Sequence, residues 1–331
     1  MNEERPGRRP GAADHQRDAY RTYRSLAAAL RVVPRPLGLA AAAVVGRAVA
    51  ERSPVTRAVV RRNLRRVVGP EMGEAELERL VRRAFASYGR YWADAASLRP
   101  SSRRVFRHRF SVEGGEHLRA AKAAGGGAVI VLAHLGSWEI GALWAARQGF
   151  PLTTVAEPVE PAELFDWLVA EREALGMRVL PLGPDAAPEL LATLGRGGFV
   201  ALLADRDLVG DGIEVELFGE VTSIPAGPAV LALRSGAPLL PAAVLMSPGG
   251  GHRLVIRPPL DSRRQGRLRE DVRRVTRALA RELERLIAIA PEQWHVFQPN
   301  WPVDAGAGGR FPPVAPGASG APGASGAADG P

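Results

Sequence analysis

The chain has 331 residues, 46% of them hydrophobic, and no cysteine. That length supports one large domain or two ordinary ones around a sizeable core. The missing cysteine excludes disulfides, thiolate chemistry and cysteine-ligated metal or iron–sulfur sites. The formal charge of +9 rests on arginine, with Lys122 the single lysine, and such a surface suits nucleic acid, an anionic lipid surface or a phosphorylated small molecule.

Residues 1–17 are polar and rich in Gly and Pro, and a disordered tail is expected there. The longest uncharged run near the start, 37–46, is far below the ~20 residues that span a bilayer, and the polar start with interrupting arginines does not read as a secretory leader. Residues 19–96 read as helices. One ends at Pro34, and a second is built from small apolar residues ("RPLGLAAAAVVGRAVAE"). A third begins at Ser53–Pro54, a cap followed by a first-turn proline, and stops at Gly69. A fourth carries Leu77, Leu80, Val81, Phe85 and Tyr88 at helical spacing. Apolar faces beside dense arginine fit either ordinary packed helices or helices lying on an anionic membrane.

From Phe110 the pattern alternates. Strands are expected at "FSVEG", 128–133, "LTTVA", "MRVLPL", "FVALLAD", "PLLPAAVLM" and "HRLVIRP", with "IEVELFG" alternating like an edge strand. Helices are expected over 116–124, 138–148, 162–175, 186–194, 225–235 and about 265–289. The fold class is therefore α/β, a mostly parallel central sheet flanked by helices, with an N-terminal helical segment. The expected division is a tail over 1–17, one domain over 18–303 and a Gly/Ala/Pro tail over 304–331. The domain divides into a helical, membrane-facing segment, 18–100, and an α/β core, 101–303.

In such sheets ligands bind at the carboxyl ends of the strands. The buried run from Ala128 delivers His134 there, and Glu139 follows after "LGSW". On one helix the two residues would lie ~140° apart. They meet only if His134 precedes the helix and Glu139 sits in its first turn, with Gly136 bending the chain and Ser137 capping it. The positive helix end would then favour an ionised Glu139, which would orient His134 as a general base. His108 and Glu113 share the spacing, but no buried strand precedes them and no glycine turn divides them, so they read as surface residues. A second strand end delivers Asp205, Arg206 and Asp207. Arg206 suits a phosphate, with Asp205 holding it in place. A metal on Asp205, Asp207 and His134 is not demanded by the spacing. No Gly-x-Ser-x-Gly elbow and no phosphate loop is present.

At "HLGSWE" and "ADRDL" the chain resembles the lysophospholipid acyltransferase superfamily, in its lipid A biosynthesis branch. The stretches "NLRRVVG", "YGRYWADAASL", "DRDLVGDGIEVELFGE", "PAGPAVLALRSGAPLLP" and "PEQWHVFQPNW" make it most similar to the actinobacterial group that acylates phosphatidylinositol mannoside. The resemblance covers about 19–304. It implies acyl transfer without a resident cofactor, with acyl-CoA, typically palmitoyl-CoA, as co-substrate. The acceptor it implies is a mannose hydroxyl of phosphatidylinositol mannoside, at the cytosolic face of the cell membrane. His134 would be the base and Glu139 its partner. Arg172, Asp205, Arg206 and Glu214 match substrate-binding positions, and Glu216 lies two residues from Glu214 on the same strand face. An anionic membrane surface is the expected partner, and nucleic acid is not. Trp138, Leu143 and Trp144 are candidates to line a channel for the acyl chain. The remaining readings are another glycolipid or lysophospholipid as acceptor, a non-catalytic lipid-binding protein, and a metal hydrolase built on Asp205 and Asp207.

Overall fold

The computed structural model describes residues 24–304 apart from 26, 103–105, 107, 108, 160, 208 and 209. The expected N-terminal tail, nearly all of the C-terminal one and His108 lie outside the described residues. Asp304, placed at the start of the second tail, is buried and ion-paired to Arg66.

Residues 27–32 are helical and end before Pro34 as expected, and three longer helices follow: α1 (Arg35–Arg52), α2 (Pro54–Val68) and α3 (Glu74–Ser97). The helical spacing in α3 is a packing stripe. Leu77, Leu80, Val81 and Phe85 bury against Val60 and Leu64 of α2 and against Phe297. Helices α1 and α3 cross at glycines. A Cβ on Gly46 would stand 2.2 Å from the Phe85 carbonyl oxygen, and one on Gly89 the same distance from that of Ala42, so only glycine permits this approach. The outer face of α1 stays apolar and uncovered, with Leu37, Val44 and Val45 63, 60 and 58% exposed. No helix among the described residues is long and apolar enough to cross a membrane.

The remainder alternates as the sequence predicts: β1 (Phe110–Glu113), α4 (Gly115–Ala123), β2 (Ala128–Gly136), α5 (Trp138–Arg147), β3 (Leu152–Ala156), α6 (Ala162–Ala174), β4 (Arg178–Pro181), α7 (Ala186–Gly195), β5 (Phe199–Leu203), β6 (Ile213–Leu217), β7 (Glu220–Ile224), α8 (Gly227–Ser235), β8 (Leu239–Ser247), β9 (Gly251–Ile256) and α9 (Leu268–Ile289). Seven strands form one sheet in the order β1-β9-β8-β2-β5-β3-β4. Every neighbouring pair is parallel except β8–β9. The sheet is buried on both faces, which is why β2, β5 and β8 read as unbroken apolar runs. Val129, Val131, Ala133 and Leu135 join the core under α7, α8 and α9. Ala128, Ile130 and Leu132 join the core under α4 and α5.

Residues 213–217, expected to edge the main sheet, instead pair with β7 in a separate antiparallel hairpin. The two-residue loop Phe218–Gly219 has positive φ at both positions, 51° and 78°, the twist that closes a tight hairpin. Phe218 tolerates it because its N–H is held by the Glu284 carboxylate and its ring packs 6.0 Å from that of Trp294.

Candidate active site

Strand β2 does not stop at Ala133. It runs on to Gly136, but its pairing with β8 slips, since Leu132 stands opposite Ala242 and Gly136 opposite Val244. Four steps along β2 thus match two along β8, and His134 lies within the bulge. Bulges re-aim side chains, and this one lifts His134 out of the buried ladder to 28% side-chain exposure. Gly136 then turns the chain at φ 69°, where a Cβ would stand 2.0 Å from the Val244 carbonyl oxygen. Ser137 occupies the position before α5 and donates its N–H to the same oxygen at 2.8 Å. Its hydroxyl does not cap the helix as expected; it donates to Asp94 Oδ2 at 3.3 Å.

The partner of His134 is Asp205, not Glu139. His134 Nδ1 lies 2.7 Å from Asp205 Oδ1, and the His134 backbone N–H donates to Asp205 Oδ2 at 2.9 Å. Strands β2 and β5 are neighbours in register, with Leu132 opposite Leu203, so the two strand ends bring these side chains together. A carboxylate on Nδ1 fixes the tautomer with the proton there and leaves Nε2 as the acceptor. Asp205 is fully buried. Burial pushes its carboxyl upward, but the His134 charge and the hydrogen bonds from His134 and Trp294 prevail and hold it below the ordinary aspartate value. Asp205 therefore does not tether Arg206 as expected; among the described residues its carboxylate is bonded to His134 and Trp294.

Glu139 sits in the first turn of α5 as expected, but it is 5% exposed and faces elsewhere. Tyr91 donates its hydroxyl to Glu139 Oε1 at 2.9 Å, and Arg172 lies 3.8 Å from the same oxygen. Glu139 Oε2 has no hydrogen-bond partner among the described residues. Burial raises the Glu139 carboxyl above its ordinary value, and Arg172, its own N–H and Tyr91 offset this only in part. The helix end thus does not secure the ionised form, because desolvation of a buried carboxylate is the larger effect.

Arg172 stacks on the Trp138 ring, 4.8 Å from its centroid, and belongs with Glu139. Arg206 is partly exposed and makes no hydrogen bond or ion pair among the described residues. Its charge reaches Tyr88 and Glu157. Glu214 and Glu216 are exposed on β6. Glu214 stands opposite Ser223, whose hydroxyl donates to Asp207 Oδ2 at 2.8 Å. Asp207 also accepts the N–H groups of Gly210 and Gly212. The Asp205 and Asp207 carboxylates are thus occupied by protein donors, and no group of three metal-ligating side chains occurs among the described residues.

An apolar pocket lies between α4, α5 and the sheet, lined among others by Ile130, Leu132, Trp138, Trp144 and Val244. Of the three channel candidates on α5, Trp138 and Trp144 line it, whereas Leu143 is buried in the core. Sequence reasoning missed two features. Glu157, directly after β3, is partly buried, and burial raises its carboxyl against the opposing effect of Arg206. The segment after α9 lies against the His134–Asp205 pair; its sequence, "PEQWHVFQPNW", carried a resemblance but no physical role.

The model of the family described as bacterial lipid A biosynthesis acyltransferase matches residues 18–302. A phosphatidylinositol mannoside acyltransferase of Mycolicibacterium smegmatis is 39% identical over 248 residues, covering 74% of this chain and 79% of that protein. The protein of that name from Mycobacterium tuberculosis is 39% identical over 250 residues, covering 74% of this chain and 77% of its own length.

Proposed function

The chain belongs to the bacterial lipid A biosynthesis acyltransferase family, and we propose that within it the protein moves a fatty acyl group from acyl-CoA to a mannose hydroxyl of phosphatidylinositol mannoside. The observation that carries the chemistry is the His134–Asp205 pair at the carboxyl edge of the sheet, with His134 Nε2 left open. Nε2 takes the proton of the acceptor hydroxyl as that oxygen attacks the thioester carbonyl. The tetrahedral intermediate expels coenzyme A, and the imidazolium returns the proton to the departing thiolate. Asp205 steadies the imidazolium. Positioned general bases of this kind contribute about 10²–10⁴-fold.

The acceptor reading rests on two relatives of that name at 39% identity. Arg206, with no partner among the described residues, is free to meet a phosphate of either substrate. The apolar pocket beside Trp138 suits the acyl chain, with palmitoyl as the expected length. The uncovered apolar face of α1 suits peripheral association with an anionic membrane at its cytoplasmic face.

The test is transfer from labelled palmitoyl-CoA by the purified protein and His134→Ala, with phosphatidylinositol mannoside and a lysophospholipid competing as acceptors. Label in the mannoside, reduced at least about 10²-fold in the variant, is the expected result. Label in the lysolipid alone would keep the mechanism and overturn the acceptor. Full activity in the variant would overturn the mechanism.

A further inference from the structure

Three hydrogen bonds reach the His134–Asp205 pair from one short stretch of chain far away in sequence. Trp294 Nε1–H donates to Asp205 Oδ2 at 2.7 Å. The His295 backbone N–H donates to the His134 carbonyl oxygen at 2.7 Å, and Leu135 bridges Trp294 in antiparallel fashion. Asn300 Nδ2 donates to the Asp205 carbonyl oxygen at 3.0 Å.

The stretch is itself anchored. Gln293 accepts the Met246 N–H and donates to the Met246 carbonyl oxygen. Asn63 of α2 donates to the carbonyl oxygens of Val296 and Gln298. The Trp294 ring is 2% exposed and packs edge-on against Trp301, 6.1 Å between centroids.

We propose that residues 291–301 are a positioning strap for the catalytic pair, and that Trp294 sets how strongly Asp205 draws on His134. This rests on the acyl-transfer reading of His134. Asp205 Oδ1 faces the imidazole, while Oδ2 is shared by two N–H donors, the His134 backbone and the Trp294 indole. The indole fixes the carboxylate plane and takes up part of its charge. Without it the carboxylate is more basic and is held by His134 alone, so it stabilises imidazolium more strongly but orients the ring less well.

Other groups surround the pair. Arg206 and Asp207 follow Asp205 directly, Arg206 acts on Tyr88 of α3 and Glu157 after β3, and His295 feels the His134 charge. His295 is held neutral by burial, its value lowered to about 3, and its Nε2 lies 3.0 Å from Ser87 Oγ. None of them is altered by the substitution that follows.

Trp294→Phe keeps an aromatic ring and deletes the one N–H. The expected outcome is a roughly tenfold lower kcat, an unchanged KM for palmitoyl-CoA, and an acid limb of the pH–rate profile moved to higher pH. A merely structural role would lower the amount of folded enzyme and leave the acid limb in place. A second measurement uses the wild-type side chain and holds even if the variant does not fold. The Trp294 indole N–H resonance, assigned through its contacts with the neighbouring Trp301 ring, is expected downfield and should move upfield in Asp205→Asn. An unmoved acid limb with normal kcat, or an indole resonance indifferent to Asp205→Asn, would overturn the strap. If His134→Ala retains full activity, the acyl-transfer reading fails instead, and the indole resonance still reports whether Trp294 engages Asp205.

Discussion

Two buried carboxylates near the strand ends behave in opposite ways, and their partners explain why. Asp205 accepts three N–H groups, one from a side chain that gains charge, so the ionised form survives burial. Glu139 accepts one hydroxyl and has Arg172 only at 3.8 Å, so burial prevails. A carboxyl raised in the folded state keeps a proton that the unfolded chain has released. Stability is therefore lost as pH climbs above the ordinary glutamate value of 4.5. Glu139→Gln cannot titrate. Its melting temperature should exceed that of the wild type at neutral pH, by about 1–2 °C for each kcal/mol in a chain of this size. The gap should close as pH falls towards 4.5. Thermal melts at several pH values check this; a wild type that gains on the variant with rising pH would show that Arg172 holds the carboxylate ionised. The strand-end place of His134 and the first-turn place of Glu139 were legible in the sequence, but the expected pairing of the two is not what the fold makes, since His134 meets Asp205 and Glu139 meets Tyr91. Spacing along the chain cannot tell whether a first-turn side chain turns towards the preceding bulge or towards α3.

At the scale of elements, the turn from β2 into α5 decides where His134 points. Gly136 combines a positive φ with a backbone oxygen 2.0 Å from where a Cβ would lie. Gly136→Ala should cost at least about 2 kcal/mol and reduce acyl transfer further than the lost stability explains, because the bulge that aims His134 must shift. Urea unfolding together with activity per folded molecule separates the two effects. Equal activity per folded molecule would show that the turn serves the fold alone. The strands and helices of the α/β part were legible because periods of 2 and 3.6 and unbroken apolar runs reflect burial directly. The hairpin β6–β7 was not, because its second strand, "EVTSI", turns Val221 outward and Thr222 inward and its turn carries Phe rather than Asn or Asp before Gly. The bulge was invisible for a related reason: an apolar run shows burial on both faces but not its register with β8.

For the whole molecule, the N-terminal helices divide into two kinds. Helices α2 and α3 bury their apolar residues against one another and against Phe297, the ordinary reading of an amphipathic pattern. Helix α1 docks on α3 through Gly46 and Gly89 and turns Leu37, Val44 and Val45 outward. If that face meets lipid, as proposed, Val44→Asp with Val45→Asp should reduce cosedimentation with vesicles containing an anionic lipid at least about tenfold, two charges in apolar lipid outweighing what the arginines restore. Wild-type binding should weaken as salt is raised, since exposed charges are screened. Undiminished binding by the variant would reassign the face to a partner other than lipid.

The sequence by itself determined the α/β class and put His134 at the carboxyl edge of the sheet, because burial periodicity and strand-end position are local properties of the chain. It also pointed, through resemblance alone, to the family that the match over residues 18–302 shows. Tertiary structure decided which carboxylate meets His134, where Ser137 donates, and that Trp294, His295 and Asn300 close over the His134–Asp205 pair. These are contacts between residues 43 or more positions apart in the chain, as with Ser137–Asp94, His134–Asp205, Asn300–Asp205 and His295–His134. Strand order and the return of the chain after α9 create them, and no spacing within either segment encodes the meeting.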